Sequence, residues 1–222
     1  MPELPEVEAV CRKLRRQAIG ATLADAHIER LRITEPQNPR EVEARLRGRV
    51  IERIDRRGKN ILIILSGGLT MRVHLRMTGN LYVIPDWHLR EARSNAWFAL
   101  DDGRGLLFED TRGLGTLTIH EGTGLEGLGP EPLSRQFTAE AFVRSAAGLR
   151  QPAKLFLLDQ RRIAGLGNIY AAEALFVAGI IHERGAVVRP KLKPACGDCA
   201  YSARGREIGM QSIFASRRFS GS

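Results

Sequence analysis

Cysteine is scarce in this 222-residue chain: Cys11, Cys196 and Cys199 are the only three. They are too few for a disulfide framework and suit a reducing compartment. Long apolar runs are missing too. The longest candidates, residues 61–65 and 174–181, fall well short of the roughly 18 residues that begin to span a bilayer, so no membrane partner is expected. The start, MPELPEVE, is acidic and punctuated by proline, the opposite of a secretory signal. Acidic side chains are in deficit, with 25 Asp and Glu against 34 Lys and Arg and a formal net charge of +9. Such a balance favours a polyanionic partner, most simply nucleic acid. With 43% hydrophobic residues there is enough apolar material for a real core, and disorder is excluded for most of the chain. The expectation is a soluble cytoplasmic protein.

Periodicity divides the chain. Val7, Val10, Cys11, Leu14 and Ala18 recur at helical spacing, with Pro5 as a first-turn residue and Gly20 as a stop. From about residue 22 to 120 the pattern changes to short strands. Leu69, Met71, Val73 and Leu75 alternate with Thr70, Arg72, His74 and Arg76, which predicts one buried and one basic face. Further strands are expected at 61–65, 81–84, 96–100 and 106–108, separated by Gly67-Gly68, Pro85-Asp86 and Asp102-Gly103, with a short helix near 39–46. Regular short strands imply a sandwich or barrel.

Residues 122–134, GTGLEGLGPEPLS, read as a linker. Helical segments follow at 138–147, at 152–158, and from Asn168, read as a cap, to about residue 178. Beyond residue 181 no periodicity survives, and eight basic residues face only three acidic ones. The expected division is therefore 1–121, a linker 122–134, a helical domain 135–181 and a basic tail 182–222, in an α+β protein.

Three places could carry chemistry. Met1 is readily removed before a small residue such as Pro2, leaving a secondary amine at the chain start. An α-amino group titrates near 8 and lysine near 10.4, so the terminal amine supplies far more nucleophile at neutral pH. It could attack a sugar C1′ and form a Schiff base, with Glu3 and Glu6 close enough to move a proton or stabilise a cation. On the residues alone, a proline-flanked helix start with dipole-complementing Glu6 and Glu8 is the favoured reading of the segment. Gly165-Leu166-Gly167-Asn168 lies between two apolar helical segments, which suits either a plain αα-hairpin turn or a capped helix start facing an anion. Cys196-Gly197-Asp198-Cys199 is one CxxC pair with no later cysteine or histidine, half of a tetrahedral zinc site; a redox role is the alternative.

MPELPEVE, RRGKNILIIL, VHLRMTGNL, LGPEPLS and LLDQRRIAGLGNIYAAEALFVAGI follow one another over residues 1 to about 181. Together they resemble the bacterial formamidopyrimidine-DNA glycosylase family. The resemblance implies an N-terminal helix on a β-sandwich, then a helix-two-turns-helix DNA-binding domain and a zinc finger, here reduced to a remnant. It implies base-excision repair of damaged double-stranded DNA by a monomer at the bacterial nucleoid: oxidised purines (8-oxoguanine, formamidopyrimidines) are removed, and the abasic site is then cleaved by β,δ-elimination.

In that pattern Pro2 matches the nucleophile, Glu3 the general acid, Glu6 a second carboxylate near the lesion, and Lys59 a lysine that contacts the damaged strand. His74 and Asn168 match residues that grip flanking phosphates, and Lys154 is a nearby cation. Met77, Arg112 and Leu114 match the wedge that fills the hole left by a flipped nucleotide. On the residues alone Lys59 reads as a hairpin-tip lysine and His74 as one more polar residue on a strand face. The chain departs from the family at DTRGLG, where Leu114 replaces an intercalating phenylalanine and Gly113 an arginine. It departs again at the finger, where zinc is the implied cofactor but only Cys196 and Cys199 remain of four ligands. No nucleotide cofactor is implied. Two other functions are open: a non-catalytic binder of damaged DNA, and an endonuclease VIII-like glycosylase for oxidised pyrimidines.

Overall fold

Pro5 sets the first turn of helix α1, Leu4–Gln17, and Glu3 holds its cap position in extended geometry. Glu6 Oε2 accepts the Glu3 N–H at 2.9 Å, one arm of a capping box. Leu4, Val7, Cys11 and Leu14 form the buried stripe of α1. Burial pushes the Cys11 thiol up to about 12, so this cysteine is a packing residue, not a nucleophile. The computed structural model describes residues 1–90, 94–149 and 151–178.

Eight strands follow α1: β1 Leu23–Ile28, β2 Ile51–Arg57, β3 Asn60–Leu65, β4 Leu69–His74, β5 Gly79–Ile84, β6 Ala96–Leu100, β7 Gly105–Asp110 and β8 Thr116–Glu121. Helix α2, Pro39–Leu46, stands between β1 and β2, capped by the Asn38 side chain on the Arg40 N–H. The strands make two antiparallel four-stranded sheets, in the orders β1-β6-β7-β5 and β2-β3-β4-β8. Val7, Cys11 and Leu14 of α1 join Ile61, Ile63, Met71, Val73, Phe98, Leu106, Phe108 and Leu117 in one core. That shared burial makes the sheets a sandwich.

On β4, Leu69, Met71 and Val73 enter the core while Arg72 and His74 stay partly exposed on the other face. Thr70, on the same outer face, is nevertheless buried. The segment after β8 folds back here, Arg72 Nη1 donating to the Gly124 carbonyl at 2.6 Å. The edge strand β8 is blocked by the side chain of Gln37, which donates to the Ile119 carbonyl at 2.6 Å and accepts its N–H at 2.8 Å. One amide thus satisfies edge groups that would otherwise invite another strand.

The chain divides into two compact units, Met1–Glu126 and one that begins at Gly127. In the second, α3 is Ala139–Ala146, α4 Ala153–Leu158 and α5 Asn168–Val177. Thr138 caps α3 by accepting the Ala141 N–H at 3.2 Å. Phe156, Ile163, Leu166, Tyr170, Ala171 and Leu175 form its core. The expected cap of α5 is corrected: Gly167, extended at φ −124, takes that position and Asn168 is the first helical residue. After the tight turn, with Gly165 at φ +94, the helix therefore begins one residue earlier than the expected cap implied.

Candidate nucleic-acid interface

Glu3 and Lys59 are both buried, at 1% and 8% exposure. Ionisable side chains are rarely hidden unless paired, and these two act on each other. Burial holds the Lys59 pKa below the ordinary lysine value, and the Glu3 charge pulls it back up. A lysine at a solvated hairpin tip would be exposed. Lys59 follows Gly58, at φ +59, in the turn joining β2 to β3, and the turn presses its side chain inward. Pro2 is half-buried and Glu6 is exposed, its carboxylate engaged by the Glu3 N–H.

His74 ends β4 directly opposite Asn60, the neighbour of Lys59. Its pKa falls to about 4, first because it is buried and then because Arg76, Lys59 and Arg72 are cationic neighbours. The Arg76 N–H donates to His74 Nδ1 at 3.1 Å, which assigns the ring proton of neutral His74 to Nε2. Arg76 is held at φ +54 to do so, the one described non-glycine residue in the left-handed region.

Stability carries the mark of this histidine. In the unfolded chain His74 takes up its proton near 6.5, and in the folded chain not until about 4. Its neutral state therefore contributes stability that is complete above about 6.5 and lost as pH falls toward 4. Urea unfolding at several pH values should show His74→Asn with a shallower loss across that window; an identical pH profile would contradict the shift.

Met77 and Leu114 are exposed apolar side chains, 41% and 42%, and Arg112 is exposed beside them in sequence. Met77 lies in the turn between β4 and β5, whereas Arg112 and Leu114 lie in the loop between β7 and β8. One carboxylate joins the two segments. Asp110, 3% exposed, accepts the Gly115 N–H at 2.6 Å, the Arg112 N–H at 3.2 Å and the Thr78 hydroxyl. Thr78 Oγ1 in turn accepts the Arg112 N–H at 3.3 Å. Burial alone would raise the Asp110 pKa; the Thr78 hydroxyl and the N–H groups of Gly115, Leu114 and Arg112 outweigh it and hold it low. Sequence reasoning missed Asp110 and Thr78. The signal was available in retrospect, as an aspartate followed by a Gly-rich loop and a threonine beside Gly79.

In the second unit Asn168 is exposed in the first turn of α5 and Lys154 is half-buried on α4. The turn between these helices is organised by Gln160, also missed. Its Nε2 donates to the carbonyls of Leu158 and Leu166 at 2.9 and 2.8 Å, and its Oε1 accepts the Gly165 N–H at 2.9 Å. Gln160→Ala would leave three backbone groups short of partners, at about 1–3 kcal/mol for each one that stays buried. The second unit should lose protection from amide exchange at 158–168 before the first unit changes; unaltered protection there would show the turn is held by other contacts.

Cys196 and Cys199 lie outside the described residues. Among the described residues no group of three or more His, Cys, Asp or Glu could hold a metal ion. The two tail thiolates do not by themselves complete a tetrahedral zinc set. Also among the described residues, no helix is long and apolar enough to cross a membrane.

An α1-backed β-sandwich with Glu3 and Lys59 buried in it, followed in the chain by a unit carrying α3, α4 and α5, defines a two-unit α+β protein. Residues 1–117 match the formamidopyrimidine-DNA glycosylase N-terminal domain, and residues 128–190 match that family's H2TH domain. The formamidopyrimidine-DNA glycosylase of Chloroflexus aggregans is 43% identical over 185 residues, 81% of this chain and 67% of that one. That of Moorella thermoacetica is 41% identical over 195 residues, 83% and 69%. Among solved structures, Lactococcus lactis Fpg in complex with abasic-site DNA superposes with a TM-score of 0.82 at 25% identity, covering 97% of this chain and 78% of that one. The MutM (Fpg) protein of Thermus thermophilus superposes at 0.77 with 35% identity, covering 97% and 75%. The chain belongs to the formamidopyrimidine-DNA glycosylase family, and it spans about two thirds of the length of these curated relatives.

Proposed function

We propose that this protein is a bifunctional DNA glycosylase of base-excision repair, removing oxidised purines such as 8-oxoguanine and formamidopyrimidines from duplex DNA and then cleaving the abasic strand. The observation that carries this reading is the burial of Glu3, directly after the residue that becomes the chain's amine once Met1 is removed, together with the buried Lys59 on which the Glu3 charge acts. The Pro2 nitrogen attacks C1′ of the damaged nucleotide, the C1′–N bond to the base breaks with its electron pair on the base, and the base leaves neutral by taking up the proton that the Pro2 nitrogen loses. Glu3 gives a proton to the ring oxygen as the sugar opens, leaving an iminium between Pro2 and C1′. That iminium acidifies C2′, so loss of its proton expels the 3′ phosphate, and a second elimination expels the 5′ phosphate. Glu6 and Lys59 flank the reaction as carboxylate and cation. No step passes through a metal or a nucleotide cofactor.

Borohydride trapping on duplexes bearing 8-oxoguanine, dihydrouracil or a bare abasic site tests the assignment. Adducts with 8-oxoguanine and the abasic site are expected. No adduct on any duplex would leave a non-catalytic DNA binder, and an adduct with dihydrouracil but not 8-oxoguanine would indicate the pyrimidine-specific sister activity.

In this reading Lys59, His74, Lys154 and Asn168 grip phosphates, and Met77, Arg112 and Leu114 form the wedge. An aliphatic Leu114 still unstacks bases. Lys59 and His74 differ in charge, and that difference is measurable. Lys59→Ala should reduce the salt dependence of DNA binding, with the slope of log K against log salt falling by about 0.9 for one phosphate. His74, neutral with its ring proton on Nε2 as a donor, should lose affinity as His74→Ala while leaving the slope unchanged. A reversed pattern would reverse the two assignments.

The protein acts as a monomer at the nucleoid, where its substrate lies. With Cys196 and Cys199 as the only tail thiolates, two zinc positions fall to water and affinity drops accordingly. Metal analysis after gel filtration should find less than one zinc per chain; one tightly held zinc would mean that other tail residues complete the set.

A further inference from the structure

Arg30, just beyond the end of β1, is exposed, and its side chain has no ion-pair or hydrogen-bond partner among the described residues. The neighbouring carboxylate does not neutralise it, since Glu29 faces His27 Nε2 at 3.4 Å and Trp97 Nε1 at 3.3 Å. The guanidinium lies over Gly113, between the wedge residues Arg112 and Leu114. A β-carbon at Gly113 would fall inside it, and Gly113 is at φ +61, so glycine is required there twice over. The arginine's base is anchored as well. Its backbone N–H donates to the Asn95 carbonyl at 3.0 Å, and the Asn95 side-chain oxygen accepts the N–H of Asp110, the residue that orders the wedge loop.

A solvent-facing guanidinium with its donors unspent, carried on a backbone anchored at Asn95, matches a phosphate in charge and geometry. We propose that Arg30 is a phosphate-binding residue of the DNA interface, placing from β1 a cation over Gly113 at the border of the wedge. The proposal rests on the DNA-repair reading and names a contact of that same surface.

The test is equilibrium binding of the full chain to a duplex carrying a tetrahydrofuran abasic analogue, from about 50 to 200 mM salt, the range over which phosphate contacts reveal themselves. Arg30→Gln keeps a polar side chain and removes its charge; the magnitude of the slope of log K against log salt should fall by about 0.9. Arg30→Lys, which keeps the charge, should retain the parental slope, so the fall in Arg30→Gln is tied to the charge and not to the loss of the guanidinium's shape. A parental slope in Arg30→Gln, whatever its absolute affinity, overturns the proposal. Both replacement side chains are polar and the site is exposed, so folding is not at issue, and thermal melting checks it. Borohydride trapping of the parent chain on an abasic duplex runs alongside. An adduct with no slope change defeats only the Arg30 contact, whereas a slope change with no adduct defeats the catalytic reading and supports the contact.

Discussion

Chain that retains Met1 should form no borohydride-trapped adduct with abasic-site DNA, while chain from the same preparation lacking Met1 should be trapped. With Met1 attached the Pro2 nitrogen is a tertiary amide, its lone pair delocalised into the carbonyl, and it cannot add to C1′. Once Met1 leaves, the same atom is a secondary amine whose unprotonated fraction at neutral pH, about a tenth for a group titrating near 8, far exceeds that of a lysine. Pro2→Gly, still with a free terminal amine, should weaken trapping without abolishing it, because a primary amine also forms an imine. Intact mass measurement on trapped and untrapped fractions separates the species. Full activity in chain whose mass includes Met1 would remove Pro2 from the mechanism and turn attention to Lys59, the buried amine beside Glu3.

Glu3→Gln should slow release of 8-oxoguanine by about 10²–10⁴, the usual contribution of a positioned general acid, because an amide has no proton to give the ring oxygen. Cleavage at a bare abasic site, whose sugar is already free to open, should suffer much less. The substitution has a second consequence. Glu3 is the charge that partly offsets the burial of Lys59, so without it the Lys59 pKa falls further and its ammonium is more costly to keep. Single-turnover rates on the two substrates, with melting measured in parallel, separate chemistry from folding. Excision of 8-oxoguanine at close to the parent rate in a folded Glu3→Gln chain would exclude Glu3 as the acid.

The elements most legible from sequence were those with local, regular signals. The buried stripe of α1, the alternation along β4 and the Thr138 cap of α3 each lie within a few neighbouring residues. The strands β1, β2 and β8 were not individually legible, and the ladders of the first two show why. Register shifts between Leu23 and Asp25 and between Ile51 and Arg53 break the period of two on which strand reading depends. The helix cap slipped from Asn168 to Gly167 because turn geometry, not cap preference, set where α5 begins.

By itself the sequence determined the excess of positive charge, the order of a strand-rich segment before a helical one, the place of Pro2 directly after Met1, and the family motifs around it. Only the tertiary structure decided which charged groups are hidden and which face outward. Lys59 reads as a hairpin tip until Glu3, from the other end of a long chain segment, is packed against it. Gln37 shows no purpose until it meets Ile119, 82 residues away. Asp110 gathers Thr78, 32 residues back, and Arg30 covers Gly113 from β1. These links are single side chains reaching distant backbone or charge. They leave no periodicity in the sequence, because they depend on where the chain has been brought by the burial of other residues.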